Sequence, residues 1–176
     1  ILTEQNSPLV VADVEMPELD VGQIHVDLSY SGICGKQLEE ISGKRGPDAY
    51  LPHLLGHEGA GVVKDVGPGV KKVKAGDHVV LHWVKGSGID SAPPRYNWDG
   101  KTVSAGWVTT FSEYTIASEN RVTRIDSDVD LEVAALFGCA VTTGLGIIFN
   151  NAALMPGQSI AVFGAGGIGL NVLQGA

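Results

Sequence analysis

The 176-residue chain sets 12 Lys and Arg against 20 Asp and Glu, a formal net charge of −8, with 44% apolar and 18% charged residues. That apolar content lets it bury a core of about one domain, and its negative field opposes nucleic acid and anionic lipid as main partners. No apolar run reaches the roughly 18 to 20 residues of a membrane helix, and the first residues lack the order of a signal peptide, so neither a membrane nor secretion is expected and the compartment is taken as cytoplasmic.

Cys34 and Cys139 are the only cysteines, too few for a disulfide framework, and they read as core thiols or as ligands. Glycine, at 24 residues, is about twice its usual share of roughly 7%. The glycines fall in turns between β-rich runs without a fixed period, which excludes a repeat array.

In chain order, residues 9–14, 23–31, 59–66, 78–83, 111–117 and 121–125 are short apolar runs with β-branched and aromatic content, and they read as strands. The Val66-Gly67-Pro68-Gly69-Val70 turn leads into a stretch with Lys71, Lys72 and Lys74 that reads as a solvated face. Residues 86–106 hold Pro93, Pro94 and four glycines and are expected to form a long loop, a common location for function. From Asp130 the period changes. Leu131, Ala134, Ala135 and Gly138, then residues 141–154, suit two helices packed through small residues, the first approached through Asp128, Asp130 and Glu132. Met155-Pro156-Gly157 ends the second helix, and residues 158–163 read as a short buried strand. Gly164-Ala165-Gly166-Gly167-Ile168-Gly169 follows and opens a helix that runs without a stop signal to Ala176, so the chain is expected to be truncated.

The glycine turn matches G-x-G-x-x-G, in which the first glycine permits a tight turn, the second admits a pyrophosphate and the third lets helix and strand pack closely. The acidic residue that separates NAD from NADP falls about 20 residues further on, past Ala176, so both cofactors stay open. Cys34, His57 and Cys139 offer two thiolates and an imidazole, a donor set that binds zinc with a fourth position free for water or substrate. Their wide spacing does not decide this, and two buried thiols with a surface histidine is the competing reading.

Six segments carry a resemblance. Ser31-Gly32-Ile33-Cys34-Gly35, Gly56-His57-Glu58-Gly59-Ala60-Gly61, Val73-Lys74-Ala75-Gly76-Asp77-His78-Val79, Thr110-Phe111-Ser112-Glu113-Tyr114, the run from Leu136 through Gly138-Cys139 to Gly144, and Ala161-Val162-Phe163-Gly164 through Gly169 resemble, in order, the zinc-containing medium-chain alcohol dehydrogenases. The resemblance runs nearly end to end. It implies a mixed fold: a β-rich GroES-like barrel as zinc-binding catalytic domain over residues 1–140, then residues 141–176 as a linking helix and the first β-α unit of a doubly wound α/β Rossmann domain.

Carried over by position, Cys34, His57 and Cys139 resemble the catalytic zinc ligands, and Glu58 the acid behind the metal. Thr143 resembles the residue beside the nicotinamide, Gly164, Gly166, Gly167, Ile168 and Gly169 the dinucleotide turn, and Trp83 and Phe111 the lining of the substrate pocket. The resemblance implies one catalytic zinc per chain, NAD or NADP, hydride transfer with a small alcohol or aldehyde, and a homodimer or homotetramer in the whole protein. A thiolate at Cys139 favours alcohols over polyols, and a bulky Trp83 favours small substrates.

The departures are specific. The lobe of four close cysteines that holds a structural zinc in many relatives has no counterpart between Lys85 and Trp107, so that zinc is expected to be absent. Lys36 stands where a proton-passing hydroxyl residue is usual, Gln37 where an acid is usual and Glu39 where a histidine is frequent. The expected alternatives for Lys36 are a proton donor reloaded by Glu39, or a surface ion pair with Glu39 or Glu40. The rival functions are a zinc-free quinone or enone reductase and an inert GroES-like binding domain, and the fragment by itself is expected to be inactive.

Overall fold

A computed structural model describes residues 1–176. The first strand, β1 (Gln23–Ser31), alternates Ile24, Val26 and Leu28 on one face with His25 and Asp27 on the other, the period of two that suits a half-buried strand. It pairs antiparallel with β2 (Gly59–Val66), which pairs with β3 (His78–Leu81). The short helix α1 (Gly35–Ile41) follows β1. After a small hairpin, β4 (Arg95–Trp98) with β5 (Lys101–Ser104), come β6 (Tyr114–Ser118) and β7 (Val122–Ile125).

The five-stranded sheet has the order β6-β1-β2-β3-β7. Its two edge strands are consecutive in the chain and joined only by the 3₁₀ turn Glu119–Arg121. So short a link between opposite edges requires the sheet to curl round until its ends nearly meet. Barrel closure thus follows from connectivity, and the enclosed space is filled by Ile24, Val26, Val63, Val79, Leu81, Val108 and Val122, none more than 2% exposed. A bulge between Leu28 and Tyr30 against Gly61 and Ala60 bends the end of β1. At Gly61 a side chain would collide with the Asp27 carbonyl, so only glycine lets the two backbones approach there.

The outer face of β2 and β3 is covered by α2 (Leu131–Ala135), whose Ala134 and Ala135 pack on Ala60 and Val80. Asp130 caps it, accepting the Glu132 amide at 2.9 Å. The helix α3 (Ala140–Gly146) continues as a π turn through Ile147–Ala152, and α4 (Gly167–Gly175) packs on α3 through Gly144, where a Cβ would lie 2.8 Å from the Ile168 carbonyl oxygen. No single helix is long and apolar enough to cross a membrane.

Three expectations require correction. Residues 9–14 form no strand: the stretch runs outside the sheet with Val11 fully exposed, and only Glu15 makes a bridge, to Asn97. Residues 158–163 form no strand either and are mostly exposed, because no strand of this chain lies beside them to exchange hydrogen bonds. Residues 86–106 are not all loop. Asp99 (φ 48°) and Gly100 (φ 77°) make the tight turn of the β4–β5 hairpin, and left-handed values at both central residues match the twist of the flanking strands. The hairpin buries Tyr96 and Val103 against Leu54 and Ala105, and the Tyr96 hydroxyl accepts the Ile116 amide at 2.9 Å, tying the lobe to β6.

Candidate metal centre

The bend at the end of β1 delivers Cys34 to the start of α1, where it is the N-cap residue in an extended conformation. His57 follows Gly56 (φ 90°), a position that glycine alone takes without strain and where a Cβ would also press on Phe111 and Thr110. Cys139 sits between the 3₁₀ turn Leu136–Gly138 and α3. These three loops, remote in sequence, bring one donor atom each from Cys34, His57 and Cys139 to within 4.8 Å of one another.

The surroundings of the three donors are anionic. Burial pushes the Cys139 thiol up to about 11, and the neighbouring Glu58 and Cys34 push in the same direction. Burial lowers the pKa of His57, which keeps its ring neutral and able to donate a lone pair, although Glu58 and Glu40 pull the other way. A buried thiol whose ionisation is opposed by a neighbouring carboxyl and a second thiol is what a divalent cation relieves, so the donor set fits zinc on chemical grounds.

Glu58 lies beneath this cluster, 3% exposed. Its Oε2 accepts the Ala140 amide at 3.1 Å, and its carbonyl oxygen accepts the Gly32 amide and the Thr110 hydroxyl at 3.1 and 3.2 Å. Gly32 and Gly138 make room for it, since a Cβ at either would fall within 2.8 Å of Glu58 atoms. Glu58 therefore fixes the start of α3 and, through it, Cys139. Gln37, 2% exposed, has its side-chain amide 2.6 Å from His57 Nδ1, which leaves Nε2 as the free ring nitrogen. Sequence reasoning noted Gln37 only as a missing acid; its place one turn beyond Cys34, on a helix beginning there, was the available signal.

Two clefts flank the thiols. One, of about 760 Å³, is lined by Cys34, His57 and Cys139 together with Trp83, Trp107 and Thr143. The other, of about 600 Å³, is lined by Cys34, Glu58 and Cys139 and by the glycine turn, including Gly164, Gly166, Gly167, Ile168 and Gly169. Gly166 N-caps α4, and a Cβ there would meet nothing within 4 Å, so its backbone stands open to the cleft.

The structure does not bring every expected residue to the site. Phe111 packs behind the wall against Gly56 and does not line the larger cleft. Lys36 does line it, but its ammonium lies 3.2 Å from Glu40, while Glu39 faces Arg45 at 3.7 Å. On α1 the four-residue spacing, rather than the three-residue one, faces Lys36, so the Lys36 and Glu39 pair is replaced by Lys36 and Glu40.

Residues 20–127 match the family described as alcohol dehydrogenase GroES-like domain. The chain belongs to that family. The S-(hydroxymethyl)glutathione dehydrogenase of Synechocystis sp. is 34% identical over 98% of this chain and 53% of its own length, and that of Photobacterium damsela subsp. piscicida 36% identical over 96% and 52%. Among solved structures, the alcohol dehydrogenase zinc-binding domain protein from Burkholderia ambifaria superposes with a TM-score of 0.86 at 26% identity, covering 97% of this chain and 53% of that one. Benzyl alcohol dehydrogenase from Acinetobacter calcoaceticus superposes at 0.77 and 26%, covering 92% and 50%. The chain spans about half the length of the curated relatives it matches. The GroES-like assignment agrees with the curled sheet described above, and the matched residues include four of the six segments that carry the resemblance.

Proposed function

We propose that this chain supplies the zinc and substrate side of a dehydrogenase that exchanges hydride between a small alcohol or aldehyde and NAD or NADP. The observation that carries the reading is that Cys34 and Cys139 line both clefts, so one pair of thiols touches a cavity with an aromatic wall on one side and a glycine turn on the other. Bound by Cys34, His57 and Cys139, a zinc ion would supply Lewis acidity toward an alcohol or aldehyde oxygen.

The remaining roles belong to the chain's own groups. Gln37 holds the His57 ring in place, and Glu58 holds the helix start that carries Cys139. Trp83 and Trp107 shield the thiol cluster from water, which strengthens every charge interaction inside the cavity. Thr143, whose amide donates to the Cys139 carbonyl oxygen at 2.9 Å, lines the wall where a nicotinamide ring would meet the substrate. The open Gly166 backbone and the first turn of α4 receive the pyrophosphate. On this reading residues 1–140 form the catalytic domain and residues 141–176 begin the dinucleotide domain.

Three assembled donors within 4.8 Å favour this over a zinc-free quinone or enone reductase, which has no use for them. The deciding experiment pairs metal analysis and cobalt substitution of the chain with alcohol oxidation, followed by nicotinamide absorbance, in the enzyme that contains it. Thiolate-to-cobalt charge-transfer bands that vanish in Cys34→Ala and Cys139→Ala, together with zinc-dependent oxidation of primary alcohols, are expected. Quinone reduction unaffected by either substitution would overturn the reading.

A further inference from the structure

The aromatic wall of the larger cleft is backed by a buried cation that forms no ion pair. Arg121 ends the 3₁₀ turn between β6 and β7 and is 4% exposed. None of the chain's six ion pairs includes it, and its Nε has no hydrogen-bond partner. The nearby carboxylates are engaged elsewhere. Glu119 accepts the amides of Lys71, Lys72 and Ile89 at 3.0, 3.1 and 2.8 Å, and Asp90 accepts from Lys85 and Asn120 at 2.6 and 3.1 Å.

What compensates the guanidinium is aromatic. Its central carbon lies 5.0 Å from the ring centre of Trp107 and 6.0 Å from that of Trp83, and Nη1 donates to the Trp83 carbonyl oxygen. The electron-rich faces of indole rings are the best available partners for a cation that lacks a carboxylate, and a planar guanidinium orients the rings it stacks on. The backbone tightens the arrangement: His82 N–H donates to the Arg121 carbonyl at 3.0 Å and Gly86 N–H to the Asn120 carbonyl at 2.7 Å, pinning the segment that carries Trp83. At Gly106 a Cβ would lie 3.6 Å from Trp83 Cζ3, so the ring rests directly on that backbone.

Both tryptophans line the cleft that holds the thiols and His57, whereas Arg121 does not. A cleft of about 760 Å³ is far too roomy to hold a two- or three-carbon alcohol by contact on more than one side. Indole rings held in place reward a flat partner, which loses few rotamers on binding and gains ring-on-ring contact beyond its buried area. We propose that Arg121 is a positioning residue that holds Trp83 and Trp107 as a fixed aromatic wall, so that the site selects alcohols and aldehydes bearing an aromatic ring. The inference rests on the dehydrogenase reading and names its substrate class.

The test uses zinc-loaded protein carrying Trp98→Phe, so that emission reports only Trp83 and Trp107. It is titrated with benzyl alcohol and with cyclohexylmethanol, which has the same number of carbons but a puckered ring. Benzyl alcohol is expected to bind about tenfold more tightly. Arg121→Met should erase most of that ratio while leaving cyclohexylmethanol affinity within about twofold and zinc content unchanged, and Arg121→Lys should restore part of it. Because a buried arginine can be needed for folding, Trp83→Leu, at a half-exposed position, provides a second route and should erase the ratio as well. Equal affinity for the two alcohols in the parent protein, or a ratio that survives both Arg121→Met and Trp83→Leu, overturns the proposal and leaves the dehydrogenase reading standing. A parent protein that binds zinc but neither alcohol overturns the proposal, and one that binds no zinc overturns the dehydrogenase reading with it.

Discussion

The amide of Gln37 and Nδ1 of His57, 2.6 Å apart, decide between them which imidazole nitrogen faces the thiols. A ligating Nε2 requires the proton on Nδ1, and Gln37 must then present its oxygen to the ring. The competing donor for that oxygen is the Cys34 amide at 3.3 Å. Replacing Gln37 by Ala frees the ring and should weaken zinc binding by about 10- to 100-fold, measured by competition with a chromophoric chelator. Unchanged affinity in a folded Gln37→Ala variant would show that the ring is held by packing alone.

Metal analysis should give about one zinc per chain, since the chain brings together a single set of Cys and His donors. Cys34→Ala and Cys139→Ala should each abolish loading. A second equivalent surviving in either variant would reveal ligands that the structure does not assemble.

Glu119 predicts how stability depends on pH. Burial raises its pKa, but the three amides it accepts, with the charge of Lys72, outweigh that and hold it below its ordinary value of 4.5. A carboxyl with a depressed folded pKa contributes stability that is fully present above the unfolded value and is lost as pH falls through the folded one. Glu119→Gln turns an amide NH₂ against backbone donors and should cost about 1.5 to 3 kcal/mol at pH 7. The difference in Tm between variant and parent should shrink as the pH is lowered below 4.5. A constant difference down to acid pH would assign Glu119 a packing role only.

Gly166 and Gly144 make a paired prediction for the dinucleotide side. A Cβ on Gly166 meets nothing, and its φ of −81° suits any residue, so Gly166→Val should fold normally. On the proposed function its side chain would nevertheless occupy the approach to the phosphates and should abolish dinucleotide binding. At Gly144 a Cβ would fall 2.5 Å from Asn171 Cβ, so Gly144→Val should destabilise the α3–α4 contact by about 1 to 3 kcal/mol. Calorimetric titration with NAD and thermal melts separate the two effects, and a strongly destabilised Gly166→Val would contradict the open cleft.

The sheet was legible in the sequence because alternation survives in its strands: Ile24, Val26 and Leu28 in β1 carry the period of two unaided. The β4–β5 hairpin was hidden by the density of Pro and Gly around it, although Asp99-Gly100 between Trp98 and Val103 is a strong short-range hairpin signal. Residues 158–163 carry a strand composition without a neighbouring strand, and composition does not supply hydrogen-bond partners. At the site, residue type and family resemblance singled out Cys34, His57 and Cys139. The stacking of Arg121 on Trp107 and the seating of Glu58 between two glycines depend on chain segments far apart in sequence, and no local pattern encodes them.

Lys36 lines the larger cleft. Its side chain is 41% exposed and its ammonium lies 3.2 Å from Glu40, whose side chain is 26% exposed, in the i,i+4 geometry of a helix surface. An exposed pair of this kind contributes about 0.2 to 0.5 kcal/mol. Glu39 faces Arg45 instead. Lys36→Met keeps the stem and removes the charge, so the expected outcome is a stability loss within that small range, unchanged zinc content and an aldehyde reduction rate within about threefold of the parent. Glu39→Gln should be silent in the same assay. A loss of about 10²-fold in Lys36→Met, the scale of a missing general acid, would instead place the proton-transfer step on Lys36.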